Sequence, residues 1–289
     1  DVLAVTLPNF PHEAPHHFGV YINRGDALQW DWQELTGQGN YSAQIGDIDN
    51  DGDMDIAGLR NYNRPPIELW RNLSADRGYK GKKKDLPDEI ISVDHMRTRF
   101  GDRTAGDGYW FGLAMGDLTG DGYGDIAAGK WMYINPGGSM EARWIRHELG
   151  DSLDALLIAD VDGDAYGDII AAKCNRQYWI EVDDPVRGEV SVTLIGTLPV
   201  CNHGTSTQGY NLAQIIPGGK PEILLNANGV FGLVIPEDPE KGEWPHFTIL
   251  EDGSNGEWVS TGDMDGDGDT DVCLFLRNEN EQDRDINRV

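Results

Sequence analysis

The sequence predicts an all-β fold of four-stranded blades, a β-propeller, on three observations. A nine-residue acidic loop recurs along the chain in one register, each copy is bracketed by two short apolar runs, and helical periodicity is nearly absent. Repeated units of about four short strands separated by Gly and Asp are the pattern of propeller blades.

The acidic stretch reads GDIDNDGDMDI from Gly46, GDLTGDGYGDI from Gly116, ADVDGDAYGDI from Ala159 and GDMDGDGDTDV from Gly262. Its first aspartates stand at 47, 117, 160 and 263, so the last gap is wide enough for one more copy near residue 214. QIIPGGKPE, from Gln214 to Glu222, fills it: the length, the sixth-place glycine and the ninth-place acid survive, while the other charges do not. YSAQI, FGLAM, DALLI, YNLAQI and EWVST precede the loops, and DIAGL, DIAAGKW, DIIAAK, EILLNA and DVCLFL follow them, which predicts two strands joined by each loop. Third strands follow in FGVYIN, IELWRN, WMYIN, QYWIEV and FGLVIP, and fourth strands in WDWQEL, EIISVDH, WIRHEL, VSVTLIG and HFTILE. The repeat units of this single domain run approximately 1–54, 55–124, 125–167, 168–220, 221–270 and 271–289, with about five blades. DVLAV at the start aligns with DVCLF near the end, so the ring is expected to be closed, part of something larger, or completed by a neighbouring chain.

The 289 residues suffice for a substantial core without disulfides. Fifty acidic residues against 23 basic ones, a net charge of −27, argue against nucleic acid and anionic membranes as partners and in favour of cations. No apolar run approaches the ~18 residues needed to span a bilayer, and no basic-then-apolar leader opens the sequence, so membrane insertion is not expected. Three cysteines match no zinc or redox spacing; Cys174 and Cys201 are able to pair, and buried free thiols are the alternative.

In these loops and their flanking strands the chain resembles the FG-GAP or VCBS repeats of calcium-binding β-propellers, to which the integrin α-subunit head also belongs. The resemblance implies an extracellular or cell-surface protein, with a Ca2+ ion in each intact loop. On its motif, D-x-[D/N]-x-[D/N]-G-x-x-D, the first site takes Asp47, Asp49, Asp51 and Asp55 with the carbonyl of Asp53. The second takes Asp117, Thr119, Asp121 and Asp125 with the carbonyl of Tyr123, and the third Asp160, Asp162, Asp164 and Asp168 with that of Tyr166. The fourth takes Asp263, Asp265, Asp267 and Asp271 with that of Asp269. Hard oxygen ligands in a flexible cage suit calcium better than magnesium or zinc. Thr119 lowers the charge of the second site, which is expected to bind most weakly, and Ala165 replaces the turn glycine of the third.

The resemblance also places function on the face opposite the acidic loops. Loops assigned there gather His12, His16, His17, His95 and His203 with Arg60, Arg64, Arg97, Arg99, Arg103, Arg176 and Lys173, a basic sector in an acidic molecule. The first expectation is a binding, adhesion or structural module for a glycan or protein ligand, with Arg60, Arg64, Arg97 and Arg176 as contacts and Tyr62, Trp110 or Tyr210 as stacking surfaces. A second is a lyase or dehydratase acting on acidic sugars, with Arg99 neutralising a carboxylate and His95, His203 and Tyr210 moving protons. A third is an extracellular assembly completed by strand exchange between subunits.

Overall fold

The computed structural model describes residues 2–5, 17–25, 28–37, 39–59, 67–74, 93–95, 112–138, 142–150, 153–200, 209–251 and 255–277. Over these residues the chain forms antiparallel β-sheets and no helix. The first sheet has three strands, β1 (Val2–Val5), β2 (Phe18–Asn23) and β3 (Trp30–Thr36). Four complete blades follow. They are β4 (Tyr41–Gly46), β5 (Asp55–Leu59), β6 (Ile67–Asn72) and β7 (Val93–His95); then β8 (Leu113–Gly116), β9 (Asp125–Ala128), β10 (Trp131–Ile134) and β11 (Ile145–Glu148). Next come β12 (Asp154–Ala159), β13 (Asp168–Lys173), β14 (Arg176–Asp184) and β15 (Glu189–Thr197), and then β16 (Gly209–Ala213), β17 (Glu222–Asn226), β18 (Val230–Leu233) and β19 (His246–Leu250). A two-stranded sheet, β20 (Asn255–Gly262) and β21 (Asp271–Arg277), ends the series. The expected five blades are thus four complete ones and two partial sheets.

The acidic loops join first strand to second in every case, and residues 214–222 join β16 to β17 in the same way. First strands stand side by side in chain order: β4 by β8, β8 by β12, β12 by β16 and β16 by β20, the arrangement of blades around a common axis. A blade in that position has neighbours on both faces, which is why second strands read as unbroken apolar runs instead of alternating. Every residue of β5, β9 and β17 is buried, whereas the fourth strands β11 and β19 are mostly exposed.

Four apolar clusters lie between successive sheets. Phe18, Val20 and Ile22 of the first sheet meet Ile56 and Trp70; Ala57, Leu59 and Leu69 meet Leu113, Ile126 and Tyr133. Ala127 and Met132 then meet Ile169 and Ile180, and Ile170 and Trp179 meet Ile223 and Leu233. Each large side chain buried this way contributes roughly 1.5–3 kcal/mol. At the loop end the junctions are polar: the carbonyl of Ile48 accepts from the Gly124 amide at 3.1 Å and from Asn135 Nδ2 at 2.9 Å, and the carbonyl of Val161 accepts from Lys220 Nζ. Gly167 backs so closely onto the second loop that a Cβ there would sit 2.3 Å from the carbonyl oxygen of Asp117. The glycine is therefore a packing requirement between neighbouring loops.

Candidate functional site

Each acidic loop coils around its own first aspartate. Asp47 accepts from the amides of Asp51 (3.1 Å) and Gly52 (3.0 Å), Asp117 from those of Gly120 (2.7 Å) and Gly122 (2.8 Å), and Asp263 from those of Gly266 (2.7 Å) and Gly268 (3.0 Å). The fifth-place aspartates Asp51, Asp121, Asp164 and Asp267 accept from the amides of Asp53, Tyr123, Tyr166 and Asp269 at 2.6–3.1 Å. Winding the loop this tightly demands a left-handed residue at the sixth place, and Gly52, Gly122 and Gly268 have φ of 92°, 88° and 95°. Ala165 of the third loop does not adopt that conformation, and the bond from sixth-place amide to first aspartate is absent there.

Carboxylate convergence follows this pattern. Among the described residues, three carboxylates come within 4.8 Å of one another in the first loop, Asp47, Asp49 and Asp51, and in the fourth, Asp263, Asp265 and Asp267. The second loop has Thr119 in place of the third carboxylate, and its hydroxyl lies 3.2 Å from Asp117 Oδ1 as a donor. In the third loop Asp160, Asp162 and Asp164 stay apart, so its departure is one of backbone, not charge. From the sequence, Thr119 and Ala165 are both expected to weaken their sites, with the second site the weakest; the structure adds that the third loop departs in backbone conformation.

The ninth-place acids carry a role that the motif does not announce. Asp55 accepts the amides of Ile48 (3.0 Å) and Asn72 (2.7 Å), Asp125 those of Leu118 and Asn135 (both 2.7 Å), and Asp168 those of Val161 (3.1 Å) and Val182 (3.2 Å). Each carboxylate thus ties its loop to the third strand of its own blade. Burial pushes Asp55 and Asp125 up to about 7 and Asp168 to about 6, against the pull of those amides and with added repulsion from neighbouring aspartates. Asp271 accepts from Met264 at 2.8 Å, and Glu222 from Ile215 and Ile216 at 2.8 and 3.0 Å. The clamp explains why the degenerate loop keeps its acid after losing the rest.

In the first loop the Asp49 side chain is only 4 % exposed. Arg71 of β6 donates Nε to its Oδ2 at 2.6 Å, while Asp49 Oδ1 and Asp51 Oδ2 are buried with no hydrogen-bond donor; Arg71 Nη2 stands 4.0 Å from the latter. Burial, reinforced by the charges of Asp51 and Asp47 and opposed by Arg71, raises the Asp49 carboxyl above its usual range. Two inward carboxylate oxygens lacking donors fit a hard divalent cation, so this loop is the better-formed candidate. Sequence reasoning missed Arg71, whose counterpart positions hold Ile134, Glu181 and Val234.

Of the opposite-face residues, Arg60, Arg64, Arg97, Arg99, Arg103, His12, His16, His203, Tyr62 and Trp110 lie outside the described residues. Lys173 and Arg176 pair across the exposed β13–β14 turn, which also carries the disulfide-bonded Cys174. Cys201 lies outside the described residues, and Cys273 is a free, exposed thiol. His95 ends β7, and His17 pairs with Glu34 at 3.2 Å on the first sheet. Tyr210 is brought to the meeting point of the first strands: its hydroxyl accepts from the Leu113 amide at 3.1 Å and bonds Ser42, with Asp154 nearby. Burial pushes its phenol up, so the group serves as a strut between β4, β8 and β16.

No family model and no curated protein sequence matches the chain. Among solved structures it is similar to an Agrocybe aegerita lectin described for its specific recognition of non-reducing terminal N-acetylglucosamine. The two share a TM-score of 0.55 and 16 % identity, over 95 % of this chain and 73 % of that one. The fold is a β-propeller. At this identity the likeness is one of fold, and the repeat-family resemblance rests on the acidic loops themselves.

Proposed function

We propose that this protein is a calcium-stabilised, extracellular β-propeller that acts as a glycan-binding module. The observation that carries the cation half is the first loop, where Asp49 Oδ1 and Asp51 Oδ2 are buried without donors inside a cage already shaped by Asp47. A calcium ion held there would supply the missing positive charge and fasten the loop. The chain's own residues do the remaining work. Asp47 winds the loop, Asp55 anchors it to β6, and Arg71 offsets part of the charge on Asp49.

The glycan half is supported by the fold shared with a lectin. An extracellular setting is supported by the disulfide at Cys174, a bond that persists in oxidising compartments. Proton transfer by Tyr210 is poorly supported, since its phenol is committed to the inner-strand contact and raised by burial. The test is a glycan array with the calcium-loaded protein, including N-acetylglucosamine-terminated and uronate-bearing structures. Saturable binding to a defined glycan class supports the reading; absence of binding across the array refutes it.

A further inference from the structure

Carboxylates gathered without a counter-charge repel one another, so an acidic loop needs something to offset that repulsion while no cation is bound. The first loop has such a group of its own. Equivalent third-strand positions hold Arg71, Ile134, Glu181 and Val234 in the four complete blades, and of these Arg71 alone is a cation. Its side chain is 25 % exposed and that of Asp49 only 4 %, so the pair is sheltered from screening by salt. Nε of Arg71 donates to Asp49 Oδ2 at 2.6 Å, and Nη2 stands 4.0 Å from Asp51 Oδ2. The guanidinium does not fill the cage, because Asp49 Oδ1 and Asp51 Oδ2 are left without a donor.

We propose, resting on the calcium reading of this loop, that Arg71 is a tethered counter-charge that steadies the loop while no cation is bound and holds its calcium affinity below what its carboxylates alone would give. Two effects act in the same direction. Without the ion, the guanidinium relieves the repulsion among Asp47, Asp49 and Asp51, which stabilises the cation-free state. With the ion, the same positive charge stands beside two of its ligands and opposes it. Orientation of Asp49 by Arg71 works the other way, but the loop is already wound by the amides of Asp51 and Gly52 on Asp47 and of Asp53 on Asp51, none of which uses Arg71. Charge therefore decides the sign. Even in bulk water, a unit charge a few ångströms from a divalent ion changes its affinity by roughly tenfold.

Arg71→Gln tests this, because the Gln amide nitrogen takes the place of Nε in the side chain and keeps a donor for Asp49 while the charge is lost. A parent chain carrying Asp121→Asn, Asp164→Asn and Asp267→Asn leaves the first loop as the intact one for titration calorimetry. In that parent, Arg71→Gln should bind calcium about tenfold tighter and trivalent terbium about thirtyfold tighter, since the relieved repulsion scales with the charge of the ion. Arg71→Lys, which keeps the charge, should stay within about threefold of the parent. In chelator at low salt, Arg71→Gln should melt below the parent, and about 0.5 M sodium chloride should narrow the difference. Calcium affinity unchanged or lowered by Arg71→Gln would overturn the proposal, as would a terbium gain no larger than that for calcium or an unaltered melt in chelator. A parent that takes up no calcium would instead refute the fastener reading itself and the affinity claim with it.

Discussion

Replacing Asp51 with Asn separates the two states of the first loop, because the change has opposite signs with and without a cation. Asp51 Oδ1 accepts the Asp53 amide at 3.1 Å, a bond that Asn retains, while Oδ2 is buried without a donor. In chelator, the change removes an unsatisfied acceptor and offers an N–H to the carboxylates of Asp47 and Asp49. An unmet buried acceptor costs about 1–3 kcal/mol, so the apo protein should be unchanged or stabilised by on the order of 1 kcal/mol. In calcium, the substitution removes an anionic ligand. A site held at 100 times its dissociation constant contributes roughly 2.7 kcal/mol, most of which is lost. At roughly 2–4 °C per kcal/mol, calorimetry should record Asp51→Asn melting about 5–10 °C lower in calcium and no lower in chelator. Equal losses in both conditions would refute the reasoning, because they would make Asp51 an ordinary structural residue.

Three further outcomes are expected. Ala165→Gly supplies the left-handed residue that the third loop lacks, so calcium titration should show one more bound ion per chain than the parent, at an apo cost of up to about 1 kcal/mol. Stability in chelator should fall as pH rises from about 5 to 8. Asp55, Asp125 and Asp168 bind protons more tightly when folded, near 7, 7 and 6, than an unfolded aspartate at about 3.9. Their stabilising protons are therefore lost through that window, and the calcium-induced rise in melting temperature should widen with pH; a pH-independent gap would contradict this. Tyr210→Phe leaves the Leu113 amide without its acceptor and should cost about 1–3 kcal/mol in denaturant melts. Glycan binding by the folded variant should be unchanged.

The repeat was legible because its marks are local. The five loops, including the degenerate Gln214–Glu222, announce themselves through a nine-residue spacing, and the second strands through apolar runs that only a doubly covered strand produces. The role of the ninth-place acid was hidden because its partners are backbone amides, which no residue type advertises; the survival of Glu222 among lost charges was the available clue. Arg71 and Tyr210 act across 22 and 97 residues, distances at which periodicity carries no information. Ala165 was visible as an exception, yet its consequence, a loop that fails to wind, belongs to backbone conformation. The expected count of about five blades roughly matches the four complete blades and two partial sheets, one holding second to fourth strands and one holding first and second.

The measurement that bears most directly on this account is the amount of calcium bound per chain at neutral pH, by equilibrium dialysis after exhaustive chelation and reloading. The account predicts tight binding at the two loops whose carboxylates converge, at Asp47, Asp49 and Asp51 and at Asp263, Asp265 and Asp267, with weaker uptake elsewhere. A chain that binds no calcium, and melts identically with and without it, would contradict the claim that these loops are cation-held fasteners.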